Sequence, residues 1–182
     1  GKDIQPKRFI NFYDKFAAKS KKHFVESSND KKSSIILGDS RNLTSLIPKK
    51  SVDYVFTSPP YFDALDYTAY YAKFVMPILG MNRMEVKKNL IQFIKTYEQD
   101  MTQVLSQINT VTKDDALIIF VVGDKKIKNK LINGGDFFSK LFHKKPNKII
   151  ERTYSSSASQ IFDKLNKTAR KEQIVMWDKS TW

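Results

Sequence analysis

The most informative part of the sequence is VDYVFTSPPY, residues 52–61. It opens with a short apolar run that is typical of a buried strand. Pro59 and Pro60 then end the strand, because each proline holds φ at about −65° and lacks a backbone N–H. The resulting loop is stiff and offers carbonyl oxygens and the Ser58 hydroxyl as acceptors, with few competing donors. Tyr61 adds an aromatic ring directly after it.

Four more apolar runs are typical of strands, and they cover residues 34–37, 116–122, 149–150 and 173–177. Apolar residues at helical spacing occupy residues 84–112, which predicts a helix between two of these strands. Strands that alternate with helices indicate βαβ units. We therefore predict an α/β fold with a doubly wound, mostly parallel sheet.

The chain before residue 34 has a different pattern. Aromatic residues recur at helical spacing among lysines over residues 6–26, which predicts an amphipathic helix with an aromatic stripe. A polar loop follows at residues 27–32. The 182 residues are enough for one domain with a core of its own. We expect helix and loop over 1–33 and the sheet with its helices over 34–182.

Ligands of doubly wound sheets bind beyond the carboxyl ends of the strands. Three segments follow predicted strands at such ends: Gly38-Asp39-Ser40, Thr57-Ser58 and Gly123-Asp124. We expect them to share one edge of the sheet. Asp39 alone could instead serve as a turn or N-cap residue, and Gly134-Gly135 is typical of a flexible turn.

The net charge of +13 is unevenly distributed along the chain. Residues 1–50 contain twelve Lys and Arg against five Asp and Glu, residues 125–151 eight against two, and residues 51–124 six against nine. Two basic blocks around an acid-leaning centre indicate a polyanionic partner such as nucleic acid. Basic, solvated surfaces also occur without such a partner.

The second basic block follows Gly123-Asp124, so we expect it to lie on the same rim as the loop after the first strand. We predict that its first lysines contact nucleic-acid phosphates. These residues are Lys125, Lys126, Lys128 and Lys130.

The composition excludes other classes of site. There is no cysteine, which removes disulfides, cysteine-bound zinc and thiol nucleophiles and fits a reducing cytoplasm. His23 and His143 are isolated, so we predict no metal site. No apolar run approaches the roughly 18 residues that a membrane helix needs.

The loop chemistry suits methylation of an exocyclic amine on a nucleobase. Such an amine is a poor nucleophile because its lone pair is delocalised into the ring. Two acceptors that grip its N–H groups would favour a pyramidal nitrogen and direct the lone pair at a methyl donor. An aromatic ring would hold the base after it leaves the stack.

These segments resemble the S-adenosylmethionine-dependent DNA amino-methyltransferases, whose catalytic loop has the form Asp/Asn/Ser-Pro-Pro-Tyr/Phe. The match is Ser58-Pro59-Pro60-Tyr61 after the family's Val-Asp-hydrophobic stretch, together with Gly38-Asp39-Ser40. The pattern extends over about residues 34–178. The resemblance implies a Rossmann-like methyltransferase fold, S-adenosylmethionine as cofactor, DNA as substrate and a place in a restriction–modification or related system.

The resemblance also implies residue roles. Ser58 and the Pro59 carbonyl would accept from the target amine, Pro60 would complete the catalytic loop, and Tyr61 would stack on the base with Phe62 as a further nucleic-acid contact. Serine in the first position favours cytosine N4 over adenine N6 as the target. The residues implied at the cofactor are Gly38, Asp39, Ser40 and Thr57.

Two family elements are missing from the sequence: the glycine-rich cofactor loop of the form Phe-x-Gly-x-Gly and a target-recognition domain. We therefore expect another polypeptide, or a segment outside these residues, to carry the glycine loop, and this chain to be inactive alone. Two alternatives stay open. One is an RNA base methyltransferase, whose similar loop usually starts with Asp, and the other is a non-catalytic nucleic-acid-binding subunit.

Overall fold

The structure, a computed structural model, describes seven stretches of the chain: residues 11–23, 32–60, 67–70, 72–93, 95–127, 130–152 and 172–182. The chain divides into two compact units, Gly1–Ile36 and Leu37–Trp182. No described helix is long and apolar enough to span a membrane.

The first unit contains helix α1, Phe12–His23. Its aromatic residues contact each other: the Phe12 ring stacks on Phe16 at 5.9 Å and meets Tyr13 edge-on at 5.7 Å. All three side chains are more than half exposed. The predicted helix is therefore confirmed over these residues, whereas its aromatic stripe is not buried; the remaining parts of 6–26 lie outside the described residues.

The predicted strand over residues 34–37 is wrong within the described chain. These residues form neither strand nor bridge, and the side chains of Ile35 and Leu37 are fully exposed. A β-strand requires a neighbour that satisfies its backbone N–H and C=O groups. No described segment pairs with residues 34–37, so the apolar run alone does not produce a strand.

The second unit contains the sheet and most of the helices. It begins with a 3₁₀ helix, η1, and ends with another, η2. The elements in chain order are η1 Ser40–Ser45, β1 Val52–Thr57, α2 Tyr67–Tyr70, α3 Val75–Ile78, α4 Arg83–Asn89, α5 Tyr97–Val111, β2 Thr112–Gly123, β3 Lys125–Ile127, β4 Lys130–Ile132, α6 Gly134–Phe142, β5 Lys148–Arg152, β6 Glu172–Asp178 and η2 Lys179–Thr181.

The main sheet has the order β1-β2-β6-β5. β1 runs parallel to β2, with Val55 opposite Ile118, whereas β6 runs antiparallel to both β2 and β5. The mixed α/β class is thus as predicted, and β1, β2 and β5 run in one direction while β6 is reversed between β2 and β5. Apolar runs identify buried strands without indicating their direction, which is why the sequence pattern missed the reversal at β6.

The core lies on one face of the sheet. Alternate residues of β2 and β6 point to that face, because successive side chains of a strand lie on opposite sides, and α5 and α6 cover them. The Phe120 ring makes edge-on contacts with Phe138 at 5.4 Å and with Trp177 at 5.6 Å. The buried apolar residues of α5 are Tyr97, Met101, Val104, Leu105, Ile108 and Val111.

The helix predicted over 84–112 is two helices, α4 and α5. Asn82 caps α4 through its side chain, which accepts from the backbone N–H of Met84 at 2.9 Å. The chain then leaves helical geometry at Leu90. The break matters for the site because α5 then begins as a separate helix at Tyr97.

The C-terminal end of α5 is held by a buried lysine. The Lys179 ammonium donates to the carbonyls of Asn109 at 3.0 Å and Thr112 at 3.3 Å, and to the Thr112 hydroxyl at 3.0 Å. A cation at this position complements the helix dipole. Burial lowers the pKa of Lys179 below its usual value. The contact joins η2 to the end of α5 and so holds the helix against the sheet.

Candidate functional site

The loop after β1 lies at the carboxyl end of the one parallel strand pair described. Thr57, the last residue of β1, is in register with Phe120 of β2. The next residue, Ser58, is exposed, and its hydroxyl donates a long hydrogen bond of 3.2 Å to the Val121 carbonyl. Because its proton is donated to β2, the Ser58 oxygen can act toward a ligand only as an acceptor.

The two prolines that follow Ser58 differ in their surroundings. Pro59 is buried and Pro60 is half-buried. The hydroxyl of Tyr97 donates to the Pro60 carbonyl at 2.5 Å. Among the described residues, no group donates to the Pro59 carbonyl. The loop thus keeps two adjacent acceptors, Ser58 Oγ and the Pro59 carbonyl, while its far end is bonded to α5. Tyr61 and Phe62 lie outside the described residues.

A cavity of about 360 Å³ adjoins this loop. Ser40 of η1 and three residues of the β1 end, Thr57, Pro59 and Pro60, line it. Most of the remaining wall is apolar and comes from β1, α5 and the loop after α4. The structure therefore brings two predicted cofactor residues, Ser40 and Thr57, to the same cavity as Pro59 and Pro60.

The Asp39 carboxylate is bonded to Arg41. It accepts from the backbone N–H of Arg41 at 2.9 Å and so caps η1. It also accepts from the Arg41 guanidinium at 3.1, 3.0 and 2.6 Å. Hydrogen bonding to Arg41 lowers the pKa of Asp39. The N-cap alternative is therefore the role that the geometry shows, and contact of Asp39 with a cofactor stays a prediction.

Arg41 joins three elements around the cavity. Besides Asp39, its guanidinium bonds to Asp100 in the first turn of α5 at 3.0 Å and to the Asn89 carbonyl at the end of α4 at 3.1 Å. The hydrogen bonds to Asp39 and Asp100 raise the pKa of Arg41 further above its usual value, so it stays charged. The η1 turn, and with it Ser40, is held against α5 by these bonds.

Gly123-Asp124, the third predicted strand end, holds the start of α6. The Asp124 carboxylate accepts from the Gly134 N–H at 3.1 Å, and Gln173 accepts from the Gly135 N–H at 2.9 Å. A Cβ on Gly134 would lie 2.7 Å from the Gly123 carbonyl oxygen. The prediction of a flexible turn at Gly134-Gly135 is therefore wrong, since both are buried residues in the first turn of a helix.

The second basic block divides into two parts of the described structure. Its first part forms the β3–β4 hairpin directly after Gly123, with Lys125 opposite Ile132. Lys128 lies outside the described residues, and the backbone alone is described for the other three predicted lysines. The second part is an exposed groove lined by Lys140, His143, Lys144, Lys145 and Lys148.

This second part lies before Gly123 along the strands. The Lys144 carbonyl accepts from the Trp177 indole N–H at 3.0 Å, and Lys148 is in register with Met176. Trp177 pairs with Ile118 and Met176 pairs with Ile119, which are five and four residues before the end of β2 at Gly123. α6 thus carries the chain back along the sheet, and a shared rim with the loop after β1 stays a prediction for Lys140 to Lys148.

No group of three or more potential metal-binding His, Asp or Glu side chains occurs in the described part of the chain. The features that sequence reasoning missed are the Tyr97 and Arg41 contacts. Tyr97 falls on the apolar face of a predicted helix, which indicates packing only, and its partner Pro60 is 37 residues away. The separation of two residues between Asp39 and Arg41 was the one local signal for their ion pair.

Comparison with known proteins gives one sequence relative. The chain is 32% identical over 110 residues to the type II methyltransferase M.MjaII of Methanocaldococcus jannaschii, an alignment that spans 50% of this chain and 21% of that protein. The chain is therefore similar to a methyltransferase and spans about a fifth of that relative's length. No protein-family model matches the chain.

Two solved structures of TTHA0409 from Thermus thermophilus, assigned as a DNA modification methylase, align with 78% of this chain. Their TM-scores are 0.44 and 0.46, and both are 16% identical in sequence. This chain covers 50% and 52% of them. At these values the likeness adds no argument about the activity of this chain.

Proposed function

We propose that this chain carries the catalytic part of an S-adenosylmethionine-dependent methyltransferase that modifies an exocyclic amine of a base in DNA. One observation carries the proposal. Ser58 and Pro59 are consecutive residues directly after β1, the Ser58 oxygen and the Pro59 carbonyl have no described donor, and Pro59 lines the cavity. The sequence similarity to M.MjaII supports the same function.

The chemistry follows from these two acceptors. An amine whose two N–H groups bond to these acceptors would lose part of its conjugation with the base. The nitrogen lone pair would then point away from the loop. As the nitrogen gains a methyl group it becomes positively charged, and oxygen dipoles already in place stabilise that charge. The nitrogen then releases one proton to water, because the Ser58 hydroxyl and the Pro59 carbonyl accept hydrogen bonds but are too weakly basic to take the proton.

The described residues fit the cofactor in part. S-adenosylmethionine, when bound, supplies the methyl group. The cavity is within the range of about 300–1,000 Å³ that is usual for small-molecule sites, and its apolar wall suits the adenine ring, with Ser40 and Thr57 as polar contacts. Gly38 adjoins this turn. Asp39 could contact the cofactor only by exchanging its bonds with Arg41. No described residue supplies a glycine turn for the ribose and methionine portions.

We propose that the glycine turn comes from another polypeptide or from a segment outside these residues. The outer edge of β1 has no partner strand in the described chain, since β1 pairs with β2 alone. Tyr54 and Phe56 of the same strand are 74% and 73% exposed. Unpaired edges and exposed aromatic residues are unfavourable unless they are covered. A strand added at this edge would also bring its own end beside Ser58.

The substrate proposal is DNA, with cytosine N4 favoured over adenine N6 because the loop starts with Ser58. Tyr61 and Phe62 would contact the flipped base, and the β3–β4 lysines would contact phosphates. RNA base methylation and non-catalytic binding are the competing functions. The +13 charge is compatible with all three, so the reaction itself must discriminate among them.

The test is transfer of radiolabelled methyl from S-adenosylmethionine to DNA and to RNA of the same sequence. The gene sequence around residue 1 would first identify the source of the glycine loop, and the assay would use the complete assembly. Label in DNA on cytosine N4 or adenine N6 is the expected result. Label in RNA alone would establish the RNA enzyme, and nucleic-acid binding without transfer to either polymer would establish the non-catalytic subunit.

A further inference from the structure

Tyr97 is the feature that the proposed chemistry does not yet use. It is the first residue of α5, and its side chain is only 2% exposed. Its ring packs against Phe137 of α6 at 5.9 Å between centroids. The phenol hydroxyl reaches the Pro60 carbonyl at 2.5 Å, which is at the short end for an O–H···O bond. A buried hydroxyl at the start of α5 therefore donates directly to the candidate catalytic loop.

The position of this bond within the loop is specific. Prolines cannot hold a loop through their own backbone nitrogen, because they have no N–H. Ser58 is bonded to β2 through the Val121 carbonyl, and Pro60 is bonded to α5 through Tyr97. The two anchors lie on either side of Pro59 and leave its carbonyl as the acceptor without a described donor. The loop is thus fixed at both ends around the group that would receive the amine.

The start of α5 is itself held in place. The Tyr97 N–H donates to the Phe93 carbonyl at 2.9 Å, and Asp100, one turn later, pairs with Arg41. The buried face of α5 packs on the sheet that carries the loop. The hydroxyl of Tyr97 is therefore a fixed reference point for the loop.

We infer that Tyr97 is a positioning residue for methyl transfer, which sets the Pro59 carbonyl in place by bonding Pro60. The inference rests on the proposed function. Tyr97 does not touch the reacting amine, so its loss should change the rate of the chemical step and leave substrate binding intact. An error of about 1 Å in the placement of a reacting group costs on the order of 10²-fold in rate.

The experiment compares Tyr97→Phe with Tyr13→Phe. The second variant loses the same hydroxyl from a tyrosine of α1 that is 78% exposed. Tyr97→Phe keeps the buried ring, and thermal unfolding with circular dichroism would confirm that it folds. Steady-state methyl transfer gives kcat and KM for the complete assembly. The ¹³C resonance of the Pro60 carbonyl in the labelled 182-residue chain reports on the bond itself.

We expect Tyr97→Phe to lower kcat by about tenfold to a hundredfold with KM unchanged, and to shift the Pro60 carbonyl resonance. Tyr13→Phe should do neither. Wild-type kcat in an active assembly, or an unmoved carbonyl resonance, would overturn the positioning role. If the wild-type assembly transfers no methyl, the proposed function fails, whereas the carbonyl resonance still decides whether Tyr97 anchors the loop.

Discussion

At the scale of single residues, Ser58 carries the most direct prediction. Replacing Ser58 by Ala removes one acceptor and the bond to Val121 while leaving both prolines. We expect methyl transfer to fall on the order of 10²-fold, by analogy with loss of one preorganised oxyanion donor. DNA affinity, measured by fluorescence anisotropy, should be unchanged. Ser51→Ala is the matched control, because Ser51 is an exposed serine just before the same strand. Equal turnover in both variants would show that Ser58 has no role in methyl transfer.

The Asp39–Arg41 pair gives a prediction about pH and stability. Arg41 lowers the pKa of Asp39 in the folded chain below its usual value of 3.8. The pair therefore stabilises the fold above that value and loses its effect as pH falls through the lower, folded pKa. Because the Asp39 side chain is 38% exposed, solvent screening keeps the effect to about 1 kcal/mol or less.

We expect Asp39→Asn to reduce the free energy of unfolding at pH 7, and the difference from wild type to shrink below about pH 4. Urea denaturation of both proteins at a series of pH values measures this difference in the free energy of unfolding. A difference that stays constant down to about pH 2 would contradict the ion pair as its source.

At the scale of elements, the two lysine groups should behave differently toward DNA. The β3–β4 hairpin follows the end of β2 at Gly123, whereas the α6–β5 groove lies toward the start of β2. We expect replacement of Lys125, Lys126 and Lys130 by Gln to reduce the slope of log K against log salt concentration. The slope should fall by about one for each phosphate that the variant can no longer bind. The same change at Lys144, Lys145 and Lys148 is the control and should have the smaller effect. Equal slopes for both triple variants would show that the hairpin does not bind the phosphates.

The elements also show how far a single sequence leads. The strand at 52–57 was predictable because an apolar run ends at two prolines, and β2 and β6 were predictable because each contains a continuous apolar run. The strand predicted over 34–37 does not form in the described chain, since pairing depends on a neighbour that the run does not encode. The split of 84–112 depends on the Asn82 cap and the break at Leu90, and both are local features that the apolar spacing conceals.

The candidate site follows the same division. The loop could be placed from its position after β1, and the Ser40 turn from the resemblance to amino-methyltransferases. The bonds of Tyr97 to Pro60 and of Arg41 to Asp100 link positions 37 and 59 residues apart. Such contacts come from the packing of α5 on the sheet, and no spacing in the sequence indicates them.

At the scale of the whole molecule, the open edge of β1 leads to the last prediction. The cavity has mostly apolar walls, with Ser40 and Thr57 as polar residues, and no described residue supplies a glycine turn for the ribose and methionine portions of the proposed cofactor. A ligand held at one end alone gains only part of its binding free energy, while it loses nearly all of its translational and rotational freedom. We therefore expect the isolated 182-residue chain to bind S-adenosylmethionine more weakly than micromolar in calorimetry. Addition of the polypeptide that carries the glycine turn should give micromolar binding, because its strand pairs with the open edge of β1 and its turn contacts the ribose and methionine portions. S-adenosylhomocysteine should show the same difference, since it shares the adenine, ribose and amino-acid groups. Micromolar affinity together with DNA methylation by the lone chain would show that these residues hold the whole cofactor and that no second polypeptide is needed.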